Sequence, residues 1–468
     1  MEETKTKRNS FSSSLGFILA AAGSAVGLGN IWRFPYLAAK DGGGVFLVIY
    51  IILALTFGFT LIFTEVALGR KTKQSCLTAY GVVDKRFGWI GGFASLVPFL
   101  ILPYYSVIGG WVMKYMMAYI APFMSSSTPA DKGYFGTFIT SYAQPLIFCA
   151  LFLLCTIIII YKGVNSGIER ISRVLMPALV IAVIGIAIFS LTIKGSSGTG
   201  IDGLKTFIIP DFSGMSVKDV FMVVLDAMGQ LFYSISVAMG IMVTYGSYFK
   251  DDSNLIKSVN SIELFDTLIA FLAGVMIIPP VVAFMGADTM KSTAGPSLMF
   301  VALPRVFEEM GFVGKIVGAL FFVMVFFAAL TSCISILEAV VSGLIDKFGW
   351  SRKKAVLIEG AVAMVIAAVV CLGYNLFYFE TRLPNTSPDG SAQILDIFDY
   401  ISNNILMPVV AIGTCILIGW IAKPKTIIEE ATKNGEKFGR KALYVVMIKF
   451  IAPVLLFVLL LGSFGLFS

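Results

Sequence analysis

The sequence predicts an all-α polytopic membrane protein with eleven transmembrane helices, arranged as a 5+5 inverted repeat in which helices 1 and 6 are discontinuous. Of its 468 residues, 57% are apolar and 13% are charged, and the mean hydropathy is +0.89. Apolar runs such as residues 453–467 are long enough, with their flanks, to cross roughly 30 Å of hydrocarbon at about 1.5 Å per residue. Two predicted spans are interrupted by small residues at corresponding positions of the two halves, which is typical of an inverted repeat.

The predicted spans and domains follow from these apolar runs. We place the spans at residues 13–39, 43–70, 88–123, 143–161, 167–192, 219–249, 255–284, 312–346, 354–376, 393–422 and 443–466. The predicted domains are an N-terminal tail (1–12), a first five-helix repeat (13–192), an external loop (193–218), a second, inverted five-helix repeat (219–422), a cytoplasmic loop (423–442) and an eleventh helix (443–468).

Lysine and arginine are unevenly divided between the two sets of alternating loops. The set that begins with the N-terminal tail holds most of them, including Arg70, Lys71, Arg352 and Lys353. Basic residues in short loops mark the cytoplasmic side, so the N-terminus is predicted to be cytoplasmic and, with an odd number of spans, the C-terminus external. This bias accounts for the net charge of +7, and no nucleic-acid role is inferred from it.

The chain has no histidine, which removes the usual general base and the commonest metal ligand. Catalysis by a Ser–His or Cys–His arrangement is therefore excluded. The six cysteines lie in or beside apolar segments without C-x-x-C spacing. This pattern indicates buried thiols and gives no sign of a disulfide or zinc framework.

Two spans carry an interruption: AAGSAVGLGNIWRFP (21–35) in the first and GQLFYSISVAMGIMVTYGSY (229–248) in the sixth. Hydrocarbon offers no partner to a free N–H or C=O, so unwound backbone persists there only where it lines a cavity or meets a ligand. Unwinding at residues 27–29 would direct N–H groups at an anion and carbonyl groups at a hard cation such as sodium. Gly and Ser are also common in membrane helices because they allow close packing, so either segment alone would not indicate a site.

Five separated motifs carry a family resemblance: GSAVGLGNIWRFP (23–35), GGG (42–44), GIERISRVLMP (167–177), GQLFYSIS (229–236) and FFAALTSCISI (326–336). They resemble those of the neurotransmitter:sodium symporter family, whose bacterial members include the leucine transporter. The resemblance extends in order from Arg8 to the tenth span. It implies a multi-pass protein of the bacterial plasma (inner) membrane that is not an enzyme. It also implies an amino-acid substrate, two sodium sites, no organic cofactor and contact with the lipid bilayer, and leaves the oligomeric state open.

The resemblance implies two sodium sites built from oxygen atoms alone, which suit a hard cation. The first comprises Ala25, Asn30, Ser234 and Asp266, completed by the substrate carboxylate. The second comprises the carbonyl groups of Gly23, Val26 and Ala328 and the hydroxyl groups of Thr331 and Ser332. Taken by itself, a Thr–Ser pair within a span is usually a back-bonding feature of the helix.

The resemblance also implies a substrate cavity, in which Tyr105 donates its hydroxyl to the substrate carboxylate. Because Met239 is adaptable and its neighbours are apolar or aromatic, leucine, methionine, tyrosine and tryptophan all remain open as substrates. A dedicated amine is disfavoured, since relatives that take amines usually carry Asp where this chain has Gly27. The implied lining residues are Ala25, Gly27, Leu28, Gly29, Ile101, Tyr105, Tyr233, Ser234, Ser236, Met239, Ser332 and Ile336.

Asp266 is a departure from the family pattern. Many relatives have Asn at this position and, four residues later, a Ser that helps to hold chloride, whereas this chain has Ala270. A carboxylate in mid-span is costly unless it is paired, which makes it a functional candidate. We expect its fixed charge to replace chloride and to make transport chloride-independent. A protonated, hydrogen-bonded structural acid is the alternative.

Charged residues are expected to close the two ends of the site. The resemblance implies an outer gate formed by Arg33 and Asp399 and an inner gate formed by Arg8 and Asp346, supported by Tyr248. Charges at helix ends otherwise act as interface anchors. At Phe11 the family usually has Trp. Glu65 and Glu338 receive no role beyond that of hydrogen-bonded structural partners.

The sequence therefore predicts sodium-driven symport of neutral, hydrophobic or aromatic L-amino acids by alternating access. A channel would need rings of carbonyls or charges, and no such repeated motif appears. An intramembrane enzyme would need an activated nucleophile, a metal or a paired-acid motif, and none is present in the sequence. A protein that senses amino acids without moving them remains the third alternative.

Overall fold

The computed structural model describes residues 10–121, 128–212, 214–293, 295–384 and 391–467. In chain order its helices are α1 (Ser14–Ala25), α2 (Gly29–Lys40), α3 (Gly44–Thr72), α4 (Cys76–Val83), α5 (Gly88–Ile120), α6 (Tyr134–Thr140), α7 (Gln144–Tyr161), α8 (Val164–Leu191), α9 (Gly200–Ile208), α10 (Val217–Ser234), α11 (Ile241–Ser247), α12 (Leu255–Met285), α13 (Ala287–Ser292), α14 (Leu303–Glu309), α15 (Gly311–Phe348), α16 (Arg352–Leu372), α17 (Ile394–Ile421), α18 (Lys425–Ala431) and α19 (Lys441–Ser463). Two short strands, Thr381–Arg382 and Ser391–Ala392, pair antiparallel.

Within the described ranges, nine helices are long and apolar enough to cross a membrane, and α1 with α2, bent by 53°, makes a tenth when the pair counts as one span. The predicted sixth span is also a pair, α10 and α11, which residues 235–240 separate. The predicted all-α membrane fold with discontinuous helices 1 and 6 is therefore confirmed.

The first break begins where α1 ends at Ala25. Val26 leaves the helical region with φ −74° and ψ 95°, and the chain becomes helical again in a π turn at Gly29–Arg33. This break lies at the Gly27–Gly29 segment that the sequence indicated.

The second break contains three left-handed residues in alternate positions. Their φ values are 54° at Ser236, 59° at Ala238 and 71° at Gly240. A left-handed conformation costs a residue with a side chain roughly 1–2 kcal/mol, so neighbouring groups must hold Ser236 and Ala238 in place.

The broken helices lie in the interior of the bundle. α1 packs against α12 and α15, α11 packs against α3, and α5 runs along α15. This packing buries both breaks, so their free backbone groups depend on protein partners or ligands.

Several predicted spans end earlier in the structure than hydropathy suggested, and two of them show the reason. The span predicted at 88–123 ends at Ile120, because Ala121 leaves the helical region with φ −126° and ψ 64°. The span predicted at 354–376 ends at Leu372, after which the chain forms turns. Apolar residues continue past both helix ends, and hydropathy alone therefore overruns the boundary.

Candidate functional site

A small cavity of about 30 Å³ lies between the two breaks. Each of the twelve residues expected to line a substrate cavity lines this one, and Ser24, Asn30 and Ile241 complete the wall.

One end of the cavity wall is polar. The Tyr105 hydroxyl is buried and has no hydrogen-bond partner in the described part of the chain. An added Cβ on Gly27 would lie 3.3 Å from this hydroxyl and 2.9 Å from Ser332 Oγ. A glycine at position 27 therefore keeps open the space in front of two hydroxyl groups. A ligand with an acceptor group could satisfy Tyr105 there.

The rest of the wall is mainly apolar. Ile101, Met239 and Ile336 are each less than 5% exposed, and Ile241 packs beside them. The Tyr233 ring covers Gly29, where an added Cβ would lie 2.8 Å from a ring carbon. This combination of an apolar wall and few polar groups is typical of a site for a small amphipathic ligand.

The first predicted sodium site is a connected cluster of side chains in the structure. Asn30 Nδ2 donates to Ser234 Oγ and to Asp266 Oδ1, both at 2.9 Å, and Ser234 Oγ donates to Asp266 Oδ1 at 2.7 Å. Tyr50 donates its hydroxyl to Asp266 Oδ2 at 3.3 Å. Asn30 Oδ1 accepts the Gly27 N–H at 3.1 Å, which ties the cluster to the first break. Ala25 lines the adjoining cavity wall.

The second predicted site brings one helix face against the end of α1. Ser332 Oγ lies 3.4 Å from the Gly23 carbonyl oxygen, 3.1 Å from that of Ser24 and 3.5 Å from that of Val26. The Thr331 hydroxyl bonds back to the carbonyl groups of Phe327 and Ala328, at 2.9 and 3.1 Å. All the predicted members of this site therefore lie together, with the Ser24 carbonyl added.

The two breaks are joined directly by hydrogen bonds. Ser236 Oγ donates to the Ser24 carbonyl at 3.0 Å, and Ser24 Oγ donates to Ser236 Oγ at 3.2 Å. The Ala238 N–H of the second break donates to Glu65 Oε1 of α3 at 2.7 Å. The sequence does not indicate this contact of Glu65, and the only signal in it that could identify the residue is the cost of a carboxyl group within a span.

At the predicted external end, Arg33 of α2 and Asp399 of α17 lie near each other. Both residues belong to the part of the chain that the structure describes, and no Arg33 nitrogen lies within 4.0 Å of an Asp399 carboxylate oxygen. Asp399 instead accepts a hydrogen bond of 2.6 Å from Asn403 Nδ2. The two charges are therefore close to each other without forming a direct ion pair.

At the predicted cytoplasmic end, Tyr248 donates its hydroxyl to Glu338 Oε1 at 2.6 Å. Arg352 contacts both oxygens of Glu338, at 2.6 and 2.8 Å. Asp346 accepts the Ser75 N–H at 2.6 Å. Arg8 lies outside the described residues. Glu338, for which the sequence indicates only a structural role, is thus the acid bound by both Tyr248 and Arg352.

These features define a class of protein. A buried cavity between two broken helices, beside oxygen clusters and between charged ends, is the arrangement of a membrane transporter whose site lies at mid-depth. Among the described residues, His, Cys, Asp and Glu side chains form no group of three that could hold a metal ion. Hydroxyl, amide and carbonyl oxygens with a single carboxylate suit a hard monovalent cation instead.

The chain belongs to the Sodium:neurotransmitter symporter family, whose sequence profile matches residues 8–127 and 138–467. It is similar to YhdH, a sodium-dependent transporter of Bacillus subtilis (strain 168), with 32% identity over 467 residues that cover 98% of each chain. It is 26% identical over 466 residues to the human sodium- and chloride-dependent taurine transporter, covering 89% of this chain and 72% of that one.

A solved structure has the same fold. The crystal structure of MhsT in complex with L-phenylalanine is 34% identical in sequence and superposes with a TM-score of 0.84, covering 98% of this chain and 100% of that one. The predicted family is thus confirmed, and the protein is a sodium-dependent membrane transporter, not an enzyme.

Proposed function

We propose that the protein is a sodium-coupled symporter of neutral, hydrophobic or aromatic L-amino acids that works by alternating access. The observation that carries this proposal is the unpartnered Tyr105 hydroxyl, buried in a mainly apolar cavity next to an oxygen cluster. A substrate carboxylate would satisfy the hydroxyl, and the apolar wall would take the side chain. The L-phenylalanine bound to MhsT supports a substrate of this kind.

Sodium is the proposed co-substrate, carried at two sites. The first is formed by Ala25, Asn30, Ser234 and Asp266 with the substrate carboxylate, and the second by Gly23, Val26, Ala328, Thr331 and Ser332. Because the substrate would complete the first site, sodium should tighten substrate binding by the same factor by which substrate tightens sodium binding. Arg33 with Asp399, and Arg8 with Asp346 and Tyr248, are proposed as the outer and inner gates.

We further propose that transport is independent of chloride. The Asp266 carboxyl is fully buried and accepts hydrogen bonds from Asn30, Ser234 and Tyr50, and in its ionised form it would place a fixed negative charge in the first sodium site. Such a charge would balance sodium without an added anion. Uptake in gluconate medium should equal uptake in chloride medium, and a strong chloride requirement would refute this part of the proposal.

The proposed architecture has two inverted five-helix repeats, 13–192 and 219–422, in a bacterial plasma membrane, with a cytoplasmic N-terminus and an external C-terminus. The excess of Lys and Arg in one set of loops supports this orientation. An epitope tag at the C-terminus should be reached by antibody in intact spheroplasts, whereas the same tag at the N-terminus should require permeabilisation.

The proposal is tested by a binding screen of the twenty amino acids with the purified protein, in sodium and in potassium buffer, with thermal stability as the readout. A ligand at one hundred times its Kd stabilises the folded state by about 2.7 kcal/mol. We expect stabilisation by apolar or aromatic amino acids in sodium only. Counterflow of the best ligand in proteoliposomes then separates a carrier from a sensor, because only a carrier exchanges labelled for unlabelled substrate.

A further inference from the structure

A single lysine lies between two carboxyl groups at the predicted external end of the broken helices. Lys40, the last residue of α2, places its Nζ 2.7 Å from Asp226 Oδ2 of α10 and 3.6 Å from Asp41 Oδ1. In α2, Lys40 lies about two helical turns after Arg33, and in α10, Asp226 lies about two helical turns before Tyr233. The cluster therefore lies beyond the cavity and joins the external halves of both broken helices.

Asp41 is the buried member of this cluster. The residue is 6% exposed, and its Oδ2 atom has no hydrogen-bond partner in the described part of the chain. The Asp226 carboxyl acts on Asp41 electrostatically, and Lys40 opposes it. The Lys40 ammonium group thus lies within ion-pair distance of both carboxyl groups. The buried Asp41 Oδ2 atom can be satisfied only by Asp226, if one of the two acids holds a proton.

The backbone around Asp41 is fixed by contacts with neighbouring segments. The Asp41 N–H donates to the Leu37 carbonyl at 2.9 Å, and the Gly42 carbonyl accepts the Asp211 N–H at 3.3 Å. Gly44 donates to the Ile209 carbonyl at 3.3 Å and has no room for a side chain, since an added Cβ would lie 2.1 Å from the Ile208 oxygen. The buried carboxyl group therefore extends from a well-packed loop.

Apart from Lys40, the charged groups that the structure describes on the surrounding elements form no ion pair with Asp41. Asp211, whose N–H donates to the Gly42 carbonyl, is a further acid beside this loop. On α9, Asp202 and Lys205 bond to each other and Asp202 caps the helix at Thr199. On α13, which packs against α2, neither Asp288 nor Lys291 forms an ion pair with Asp41. On α12, Asp266 is bound in the sodium cluster and Glu263 pairs with Arg440. α3 begins beside Asp41, and its first turns, residues 44–53, contain no charged residue.

We propose that Asp41 and Asp226 form a proton-binding pair that links α2 to α10 and makes transport sensitive to external pH. Two carboxyl groups with one shared cation are stable in close contact when one of them holds a proton. Burial, and then the charge of Asp226, raises the pKa of Asp41 to about 7, against the opposing effect of Lys40.

The proton would act on the external halves of the broken helices, so its effect on transport rests on the function proposed above. With the proton bound, Asp41 can donate to Asp226 and hold α2 against α10 as in this structure. Without it, two carboxylates share Lys40 and repel each other, which favours separation of the helices and access to the cavity. External acid should therefore slow uptake.

Asp41→Asn tests the proposal, because the amide keeps the shape of the protonated acid and cannot titrate. Uptake of substrate into proteoliposomes is measured at external pH 5.5 to 8.5 with the internal pH fixed. Between pH 6 and pH 8 the protonated fraction of a group with a pKa near 7 falls from about 0.9 to about 0.1, so wild-type uptake should rise by up to about tenfold. The Asp41→Asn profile should be flat and low, and Asp288→Asn, a nearby acid on α13, should keep the wild-type profile.

Thermal stability against pH gives a readout that does not depend on transport. Because the folded-state pKa of Asp41 lies above the usual value near 4, its favourable contribution is present at acid pH and is lost as the pH rises toward 7. The wild-type Tm should fall relative to that of Asp41→Asn across this window. Asp226→Asn, the second variant, removes the acidic neighbour and should move the midpoint of the Tm profile to lower pH.

Three results would overturn the proposal. The first is a wild-type uptake rate that does not change with external pH, and the second is a flat pH profile in Asp288→Asn as well as in Asp41→Asn. The third is a midpoint of the pH profile that moves with sodium concentration, because the pair would then bind a cation and not a proton. If no amino acid is taken up at any pH while the Tm profiles differ as expected, the proposed function fails and the proton site stands.

Discussion

The Ala238 N–H donates a hydrogen bond of 2.7 Å to Glu65 Oε1, from the centre of the second helix break to the middle of α3. Ala238 is left-handed, with φ 59°, and both residues are buried. The next residue, Met239, lines the cavity. Glu65 therefore holds an unfavourable backbone conformation that determines where part of the cavity wall lies.

Replacing Glu65 by Leu should destabilise the protein and weaken substrate binding together. The change leaves the buried Ala238 N–H unpaired, at a cost of about 1–3 kcal/mol. Glu65→Gln keeps an oxygen acceptor and should remain near wild type. Thermal denaturation and substrate titration of both variants check this prediction, which is wrong if the two variants behave alike.

Replacing Tyr105 by Phe should reduce substrate affinity while leaving stability unchanged. The hydroxyl makes no hydrogen bond of good geometry in the described part of the protein, so its removal should cost the fold little. A hydrogen bond to a charged group contributes about 1.5–3 kcal/mol, which corresponds to a loss of roughly 10- to 100-fold in affinity.

Tyr115→Phe is the matched control for this change. Tyr115 lies on the same helix and donates its hydroxyl to the Phe300 carbonyl at 2.8 Å. Its removal should lower stability and leave substrate affinity unchanged. The role assigned to Tyr105 would be lost if Tyr105→Phe bound substrate as tightly as the wild type.

Thr331→Val should weaken sodium binding with little effect on the fold. Valine keeps the volume of the side chain and removes a hydroxyl that bonds only to carbonyl groups of its own helix, α15. Loss of one oxygen from a cation site should reduce sodium affinity by about tenfold or more.

Ser342→Ala, on the same helix, removes a buried hydroxyl that lies outside both predicted sodium sites. Sodium titrations of substrate binding should therefore separate Thr331→Val from Ser342→Ala. Equal sodium affinities in these two variants would contradict the second site.

Asp266→Asn should reduce sodium affinity by at least about tenfold, because the only carboxylate that the protein contributes to the first sodium site is removed. Combined with Ala270→Ser, it should make uptake depend on chloride. The control is Glu263→Gln on the same helix, where the acid pairs with Arg440 at 3.0 Å. Glu263→Gln should lower the stability of the protein. Its sodium affinity should not change, and its uptake should remain independent of chloride.

Much of the site could be predicted because the motifs at the two breaks mark positions along the chain. Gly27 and Gly29 indicated the first break, and Ser236 lies in the second. Partners across helices were harder to predict. The bond from Tyr248 to Glu338, 90 residues away in sequence, was not predicted, and the expected support of the Arg8–Asp346 pair by Tyr248 stays a prediction. Such pairings depend on how each helix is rotated and tilted against its neighbours, which apolar periodicity does not specify.

The membrane explains which level of structure decided each feature. Every backbone group of a span must be satisfied within the bilayer, so apolar length and the position of small residues by themselves determined where helices cross and where two of them break. Lipid supplies no hydrophobic force that selects one helix face over another. Only tertiary packing therefore decided that Glu65 holds Ala238, that Glu338 binds Tyr248 and Arg352, and that Lys40 lies between Asp41 and Asp226.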